Sequence, residues 1–257
     1  MTRLSHDERI NDFDSVDDEL APPGYVNVWG IGNVKISDIK NRQLQEPADI
    51  QEDTGWVQFA LGCDVASHGK DRTCVCLAQL TYDRRDQVHA EVKLLKRLRK
   101  GILFRDTTTQ IKQIVRGVKD NACDKKVDIT IGTDASGLGE GLAQEIAQEL
   151  ALEDCRSIYL TGGGYGYRTE GSNIYVAKSH LVSLLVAAIE SGRMRFPRKL
   201  KELDVLLEEM AAFGETISED TGNSSYGATG KMTHDDTIVS MGLTLVIGEI
   251  CKPARLY

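Results

Sequence analysis

Residues 56–63 form a nearly unbroken apolar run between polar flanks. A run of that length reads as a central strand covered on both faces. Residues 73–81 and 88–98 read as two further strands, joined by the polar turn 83–86, so the chain should open with a three-stranded meander. Ile111, Ile114, Val115 and Val118 then recur at helical spacing. That predicts an amphipathic helix over 106–119, capped by Asp106 or a Thr just after it. Residues 127–131 predict a short strand that, following a helix, is free to pair parallel with an earlier one. Leu138, Leu142, Ile146 and Leu150 mark a second helix, and 157–160 a fifth strand. After a Gly/Tyr loop at 161–167, the pattern predicts a helix over 173–191 ending at Gly192, with Leu181, Leu184, Leu185, Ala188 and Ile189 inward. An extended stretch at 193–197 leads to a helix over 199–212 with Leu203, Leu206, Leu207 and Met210 inward, then a loose hairpin over 213–230. Residues 233–247 are apolar almost all round after Asp236, which predicts a buried helix with acids at its start.

This order predicts an α/β fold: a mixed sheet of five or more strands with helices on both faces. Residues 1–55 read differently, as an acidic arm or linker with one short strand near 25–29, so the folded domain should occupy 56–257. The formal charge of −8 at first argues against a nucleic-acid partner, but its distribution changes that picture. Residues 1–53 carry 12 acids and 5 bases, which leaves 27 acids and 26 bases on the rest. A near-neutral domain binds DNA where its bases cluster and cations sit on its acids. No apolar run is long enough to span a bilayer and the polar N-terminus is unlike a signal peptide, which points to a cytoplasmic setting with no membrane partner. The six cysteines include no CxxC pair and read as reduced, mostly buried thiols; Cys74 and Cys76 should share one strand face.

The candidate chemistry lies in acids where buried elements begin or end: Asp64, Asp134, and the pair Asp235 and Asp236. If the strand ending near Asp134 lies beside the first strand, Asp64 and Asp134 come within one strand spacing, about 4.8 Å. The helix opened by Asp235 and Asp236 would bring a third carboxylate to the same edge. Clustered acids repel unless cations neutralise them, and hard oxygen donors that leave room for water suit Mg²⁺ or Mn²⁺. Two such ions would bridge a scissile phosphate and support hydrolysis without a covalent intermediate. Helix capping would account for one of Asp235 and Asp236, and an Asx turn for Asp134, if each stood alone. His68 and Lys70, in the turn after Asp64, are candidates for phosphate contact, as are Lys178, Arg193 and Arg195; His234 is a candidate partner of a ligand. Arg193, Arg195, Arg198, Lys199 and Lys201 form the densest basic patch of the second half.

Taken together, Gly62-Cys63-Asp64-Val65-Ala66 with Gly69-Lys70-Asp71-Arg72-Thr73, then Thr133-Asp134-Ala135-Ser136-Gly137-Leu138-Gly139-Glu140-Gly141, then His234-Asp235-Asp236-Thr237-Ile238-Val239, resemble the nuclease domain of the large terminase subunit of tailed bacteriophages, in the RNase H-like (RuvC-like) superfamily. The helix near Lys178 and the stretch Gly192 to Pro197 fit the same pattern, and Leu4 to Arg9 resembles the segment that joins that family's ATPase to its nuclease. The resemblance implies a DNA endonuclease that cuts concatemeric viral DNA during packaging with two divalent ions. Asp64, Asp134 and one or both of Asp235 and Asp236 would be the ligands, with Asp236 favoured and Glu140 in a minor role. It implies double-stranded DNA, an ATPase domain or subunit, the small terminase subunit and the portal as partners, in the cytoplasm of an infected bacterial host. No GxxxxGK[ST] loop occurs, so the ATPase half is missing, as in a separated nuclease portion or a naturally split subunit. A Holliday-junction-type resolvase would share the fold and metals. An actin-like or sugar-kinase-like ATPase, with Thr161 to Gly164 as its adenosine loop, and a non-catalytic docking module of the packaging motor are the alternatives from other classes.

Overall fold

The computed structural model describes residues 25–28, 32–35, 56–66, 71–122, 125–162, 166–197, 200–217, 224–228 and 234–252. In chain order the elements are β1 (Tyr25–Val28), β2 (Gly32–Lys35), β3 (Trp56–Asp64), β4 (Cys74–Tyr82), β5 (Val88–Arg97), α1 (Phe104–Asn121), β6 (Lys126–Asp134), α2 (Gly139–Glu149), β7 (Asp154–Thr161), β8 (Tyr167–Glu170), β9 (Asn173–Ala177), α3 (Lys178–Glu190), β10 (Met194–Arg195), α4 (Leu203–Ala212), β11 (Phe213–Ile217), β12 (Ser224–Ala228) and α5 (Asp236–Ile250). Eight strands make one sheet in the order β10-β5-β4-β3-β6-β7-β9-β8; β1-β2 and β11-β12 are separate hairpins. The expected meander is there, β3, β4 and β5 pairing antiparallel. Beyond it β6, β7 and β9 pair parallel with β3 and with one another, so four strands end at one edge.

Each face has its own core. Leu61, Cys63, Ile129 and Ile131 pack under α1 and α2 through Ile111, Val115, Leu142 and Ile146. Ala60, Cys74, Cys76 and Ile158 pack on the other face with α3, α4 and α5, through Leu181, Leu206 and Leu243 among others. Cys74 and Cys76 therefore do share a face, and Cys63 lies on the opposite one. Every residue of α5 from Asp236 to Gly248 is buried, as its apolar composition requires. Gly62 permits this: a Cβ there would overlap the Ser240 carbonyl of α5 and touch Leu243 Cβ at 3.0 Å. Among the described residues no helix is long and apolar enough to cross a membrane.

Several expectations need correction. The 173–191 stretch is not one helix: residues 173–177 form β9, paired antiparallel with β8 through a turn in which Gly171 has φ +62°. Ile174 and Val176 alternate into the core with a tyrosine between them, a strand pattern that the apolar run from Leu181 had masked. The strand expected at 127–131 continues through Gly132, Thr133 and Asp134, because Gly132 leaves space for Ile158 and Ile247. The helix expected from 106 starts at Phe104, with Leu103 at the cap position and no side-chain cap bond; Asp106 sits in its first turn. Leu138 is 55% exposed, ahead of the helix it was expected to anchor. The helix expected from 199 starts at Leu203, although its four inward residues are buried as expected.

Candidate active site

Cys63 pairs with Thr133 across the parallel β3-β6 ladder, so Asp64 and Asp134 leave adjacent strands side by side. Side-chain alternation turns both toward the α5 face, since Gly62 and Gly132, two residues earlier on each strand, meet α5 at Ser240 and Ile247. Asp236 opens α5 and is 5% exposed. The backbone N–H of Arg72 donates to Asp236 Oδ2 at 3.1 Å, which orients that carboxylate toward the start of β4. Asp235 stands at the cap position but makes no cap bond; its Oδ2 instead accepts from Lys178 Nζ at 2.6 Å. Lys178 is the first residue of α3, directly after β9, and so rises at the same edge. His234 Nδ1 lies 2.8 Å from Asp71 Oδ1, beside the backbone that holds Asp236.

The charges of this group are mutually unfavourable. Burial raises the Asp64 pKa well above its ordinary value, and Asp134, Asp236 and Asp235 raise it further, while Lys178 opposes them. Burial also raises Asp134, against hydrogen bonds from Ser136 and the Lys178 charge. It raises Asp236 too, against the Arg72 N–H and the nearby His234 and Arg97. Among the described residues Lys178 is thus a cation that opposes the repulsion at both Asp64 and Asp134. The turn after Asp134 is an Asx turn, Ser136 N–H donating to Asp134 Oδ1 at 2.9 Å, and Ser136 Oγ accepts from Leu160 N–H at 2.9 Å. Gly139 is obligatory there, because a Cβ would overlap the Asp134 carbonyl. The turn and the acid cluster coexist.

Other expected residues lie elsewhere. Arg193 donates to the Val88 carbonyl at 3.2 Å and to Ser191 Oγ at 2.9 Å. Arg195 lies on β10, the edge strand three places from β3, so neither arginine stands beside the acids. Glu140 lines a polar hollow of about 250 Å³ with Thr133, Arg156 and Tyr159, on the α2 face. His68, Lys70, Arg198 and Lys199 fall outside the described residues. One residue was missed. Glu209 of α4 is 4% exposed, and its Oε2 accepts from the Thr237 N–H at 2.8 Å and from the Thr237 hydroxyl. Burial raises its pKa to about 7, opposed by the Thr237 bonds. Its signal in the sequence is slight: an acid three residues after the inward Leu206, next to the exposed Glu208.

Residues 61–246 match the family model described as the terminase RNaseH-like domain. The chain belongs to that family. It is a nuclease domain of the DNA-packaging terminases, and its sheet with helices on both faces is the RNase H-like fold. The matched span runs from β3 into α5 and contains all four acids. Two solved structures of the human cytomegalovirus terminase nuclease domain are similar to the chain. One, Mn-soaked, is 9% identical over 81% of this chain and 88% of its own, with a TM-score of 0.43. The other, Mn-soaked with an inhibitor bound, is 9% identical over 84% and 95%, with a TM-score of 0.46. No curated protein matches the chain.

Proposed function

We propose that the chain is an endodeoxyribonuclease that cuts concatemeric viral DNA during genome packaging, using two divalent ions, Mg²⁺ or Mn²⁺. The observation that carries this reading is the convergence of Asp64, Asp134 and Asp236 from two adjacent strand ends and one helix start, each with a raised pKa. The donor set fits hard cations: it is all carboxylate, and a positive charge relieves its repulsion. Among the described residues no three His, Cys, Asp or Glu side chains form a ready ligand cage. Mg²⁺ suits such a site, since it is commonly held by one or two carboxylates with waters and substrate phosphate completing the shell.

Asp64, Asp134 and Asp236, with Asp235, are the proposed ligands. When bound, the ions supply a nucleophilic water and stabilise the leaving oxygen. The protein's own part is positional. The β3-β6 register sets the Asp64 to Asp134 spacing, and the Arg72 N–H fixes the Asp236 carboxylate. Lys178 Nζ lies 2.6 Å from Asp235 Oδ2, and this position at the acid edge supports a role for the lysine in phosphate contact. Residues 1–55 would join this domain to an ATPase domain or subunit, with the small terminase subunit and portal as further partners in the cytoplasm of an infected bacterium. The test is cleavage of supercoiled plasmid at millimolar Mn²⁺ or Mg²⁺, with Asp64→Ala as control. Nicked and linear products from the wild type alone are expected. Intact plasmid with the wild type would leave a docking module as the better description.

A further inference from the structure

We propose that Glu209 is a positioning residue for Asp236, holding the start of α5 so that this carboxylate faces Asp64 and Asp134. The proposal rests on Asp236 being a metal ligand, as argued above. An α-helix leaves its first N–H groups without partners inside the helix, and a side chain at the cap position ordinarily satisfies one of them. Here Asp235 occupies that position and makes no cap bond, because its carboxylate is engaged by Lys178. The donor is satisfied from another element: Glu209 Oε2 takes both the N–H and the hydroxyl of Thr237, the residue after Asp236. The division of labour is specific. Asp235 is released from capping to face the ammonium, and Glu209 takes over its local task from behind the helix.

A buried carboxylate on α4 has an apolar alternative at every neighbouring inward position, as Leu206, Leu207 and Met210 show. Among the described residues Glu209 Oε1 has no hydrogen-bond partner, and the Nε of Arg97, which ends β5 at the same edge, has none either. Arg97 lowers the pKa of both Glu209 and Asp236, so one guanidinium serves both acids. A side chain serving only to pack there would be apolar, because an incompletely satisfied buried carboxyl costs stability. Its value lies in the two bonds to Thr237, which fix the first turn of α5 about its own axis. Rotation of that turn would swing Asp236 away from the Arg72 N–H and from Asp64.

The test is Mn²⁺ titration of the DNA-free protein by calorimetry, with cooperative unfolding checked for each variant. Asp236→Asn is the reference for the site itself and should lose Mn²⁺ affinity. Glu209→Leu, which keeps the volume but accepts no hydrogen bond, should weaken Mn²⁺ binding about 10–100-fold, the usual effect of removing a group that orients a ligand. Glu209→Gln retains an acceptor and should stay within about threefold of wild type. Wild-type affinity in Glu209→Leu, with affinity lost in Asp236→Asn, overturns the positioning role and leaves the site reading standing. Wild-type affinity in Asp236→Asn overturns both. Where Glu209→Leu does not fold, Thr237→Val removes the hydroxyl bond and keeps the N–H. A loss of about 3–10-fold is then expected, and wild-type affinity overturns the proposal.

Discussion

Replacing Gly62 with alanine perturbs the acid group without touching any acid. The added Cβ would overlap the Ser240 carbonyl and stand 3.0 Å from Leu243 Cβ and 3.2 Å from Thr244 N. Two of these three neighbours are backbone of a helix that is buried along almost its whole length, so no side chain can rotate aside. A carbon–oxygen approach needs about 3.3 Å, so α5 must retreat from β3 by about 1 Å. Overpacking of this kind costs about 1–3 kcal/mol. For a domain of this size that lowers Tm by roughly 3–10 °C. The same retreat carries Asp236 away from Asp64, which lies only two residues beyond Gly62. A displacement near 1 Å in a reacting geometry lowers the rate by about 100-fold. Thermal unfolding and plasmid nicking, compared at a temperature where both proteins are folded, read the two effects separately. Gly132→Ala is the graded control, since the nearest atoms its Cβ would meet are side-chain atoms, Ile158 Cδ1 at 2.6 Å and Ile247 Cδ1 and Cγ1 at 2.7 and 3.1 Å. Gly117→Ala, with nothing within 4 Å, should stabilise α1 by about 0.5–1 kcal/mol. Wild-type Tm and nicking rate in Gly62→Ala, or greater damage from Gly132→Ala, would refute a retreat of α5 from β3.

Three further outcomes are expected. Asp64→Asn should raise the metal-free Tm at alkaline pH while lowering cleavage about 100-fold or more, because it removes a half-buried carboxylate whose ionisation three acids oppose; a lower Tm would count against the repulsion. Lys178→Met should lower the metal-free stability by about 1–3 kcal/mol, with millimolar Mn²⁺ recovering part of the loss; equal losses with and without Mn²⁺ would separate the lysine from the acid cluster. Without divalent ions, stability should fall as pH rises above the ordinary aspartate value of 3.8, since Asp64, Asp134 and Asp236 all have raised pKa values and the folded state holds their protons longer than the unfolded chain. That stability is fully present below the ordinary value and lost through the raised ones, and Mn²⁺ should flatten the profile; denaturant titrations from pH 4 to 8 measure it.

The strand carrying Asp64 was legible because Trp56 to Cys63 is apolar apart from Gln58, and α5 because its apolar residues leave no polar face. The parallel pairing that joins Asp64 to Asp134 followed from a helix lying between two strands. The β8-β9 hairpin was not legible, since β9 runs straight into α3 with no Gly or Pro between them. Arg193 and Arg195 formed the densest basic run but serve the β10 edge, a matter of where the sheet order places them. Glu209 escaped because an acid one position from an inward stripe looks solvated in sequence. Only the approach of α4 to α5 reveals it as buried.

The cysteines of β3 and β4 give the sheet a built-in reporter. Cys63, Cys74 and Cys76 are each fully buried, on opposite faces of two paired strands, and burial raises all three thiol pKa values. Cys74 stands opposite Asp64 in the ladder, and Ser240 of α5 donates to its sulfur at 3.3 Å. A thiol kept protonated neither reacts with alkylating agents nor offers a soft ligand to zinc or copper. Labelling of these three sulfurs therefore requires the strands to part or the helices on either side to lift. Whether Cys63 labels at the same rate as Cys74 and Cys76 would reveal whether the two faces of the domain open as one cooperative unit or as two.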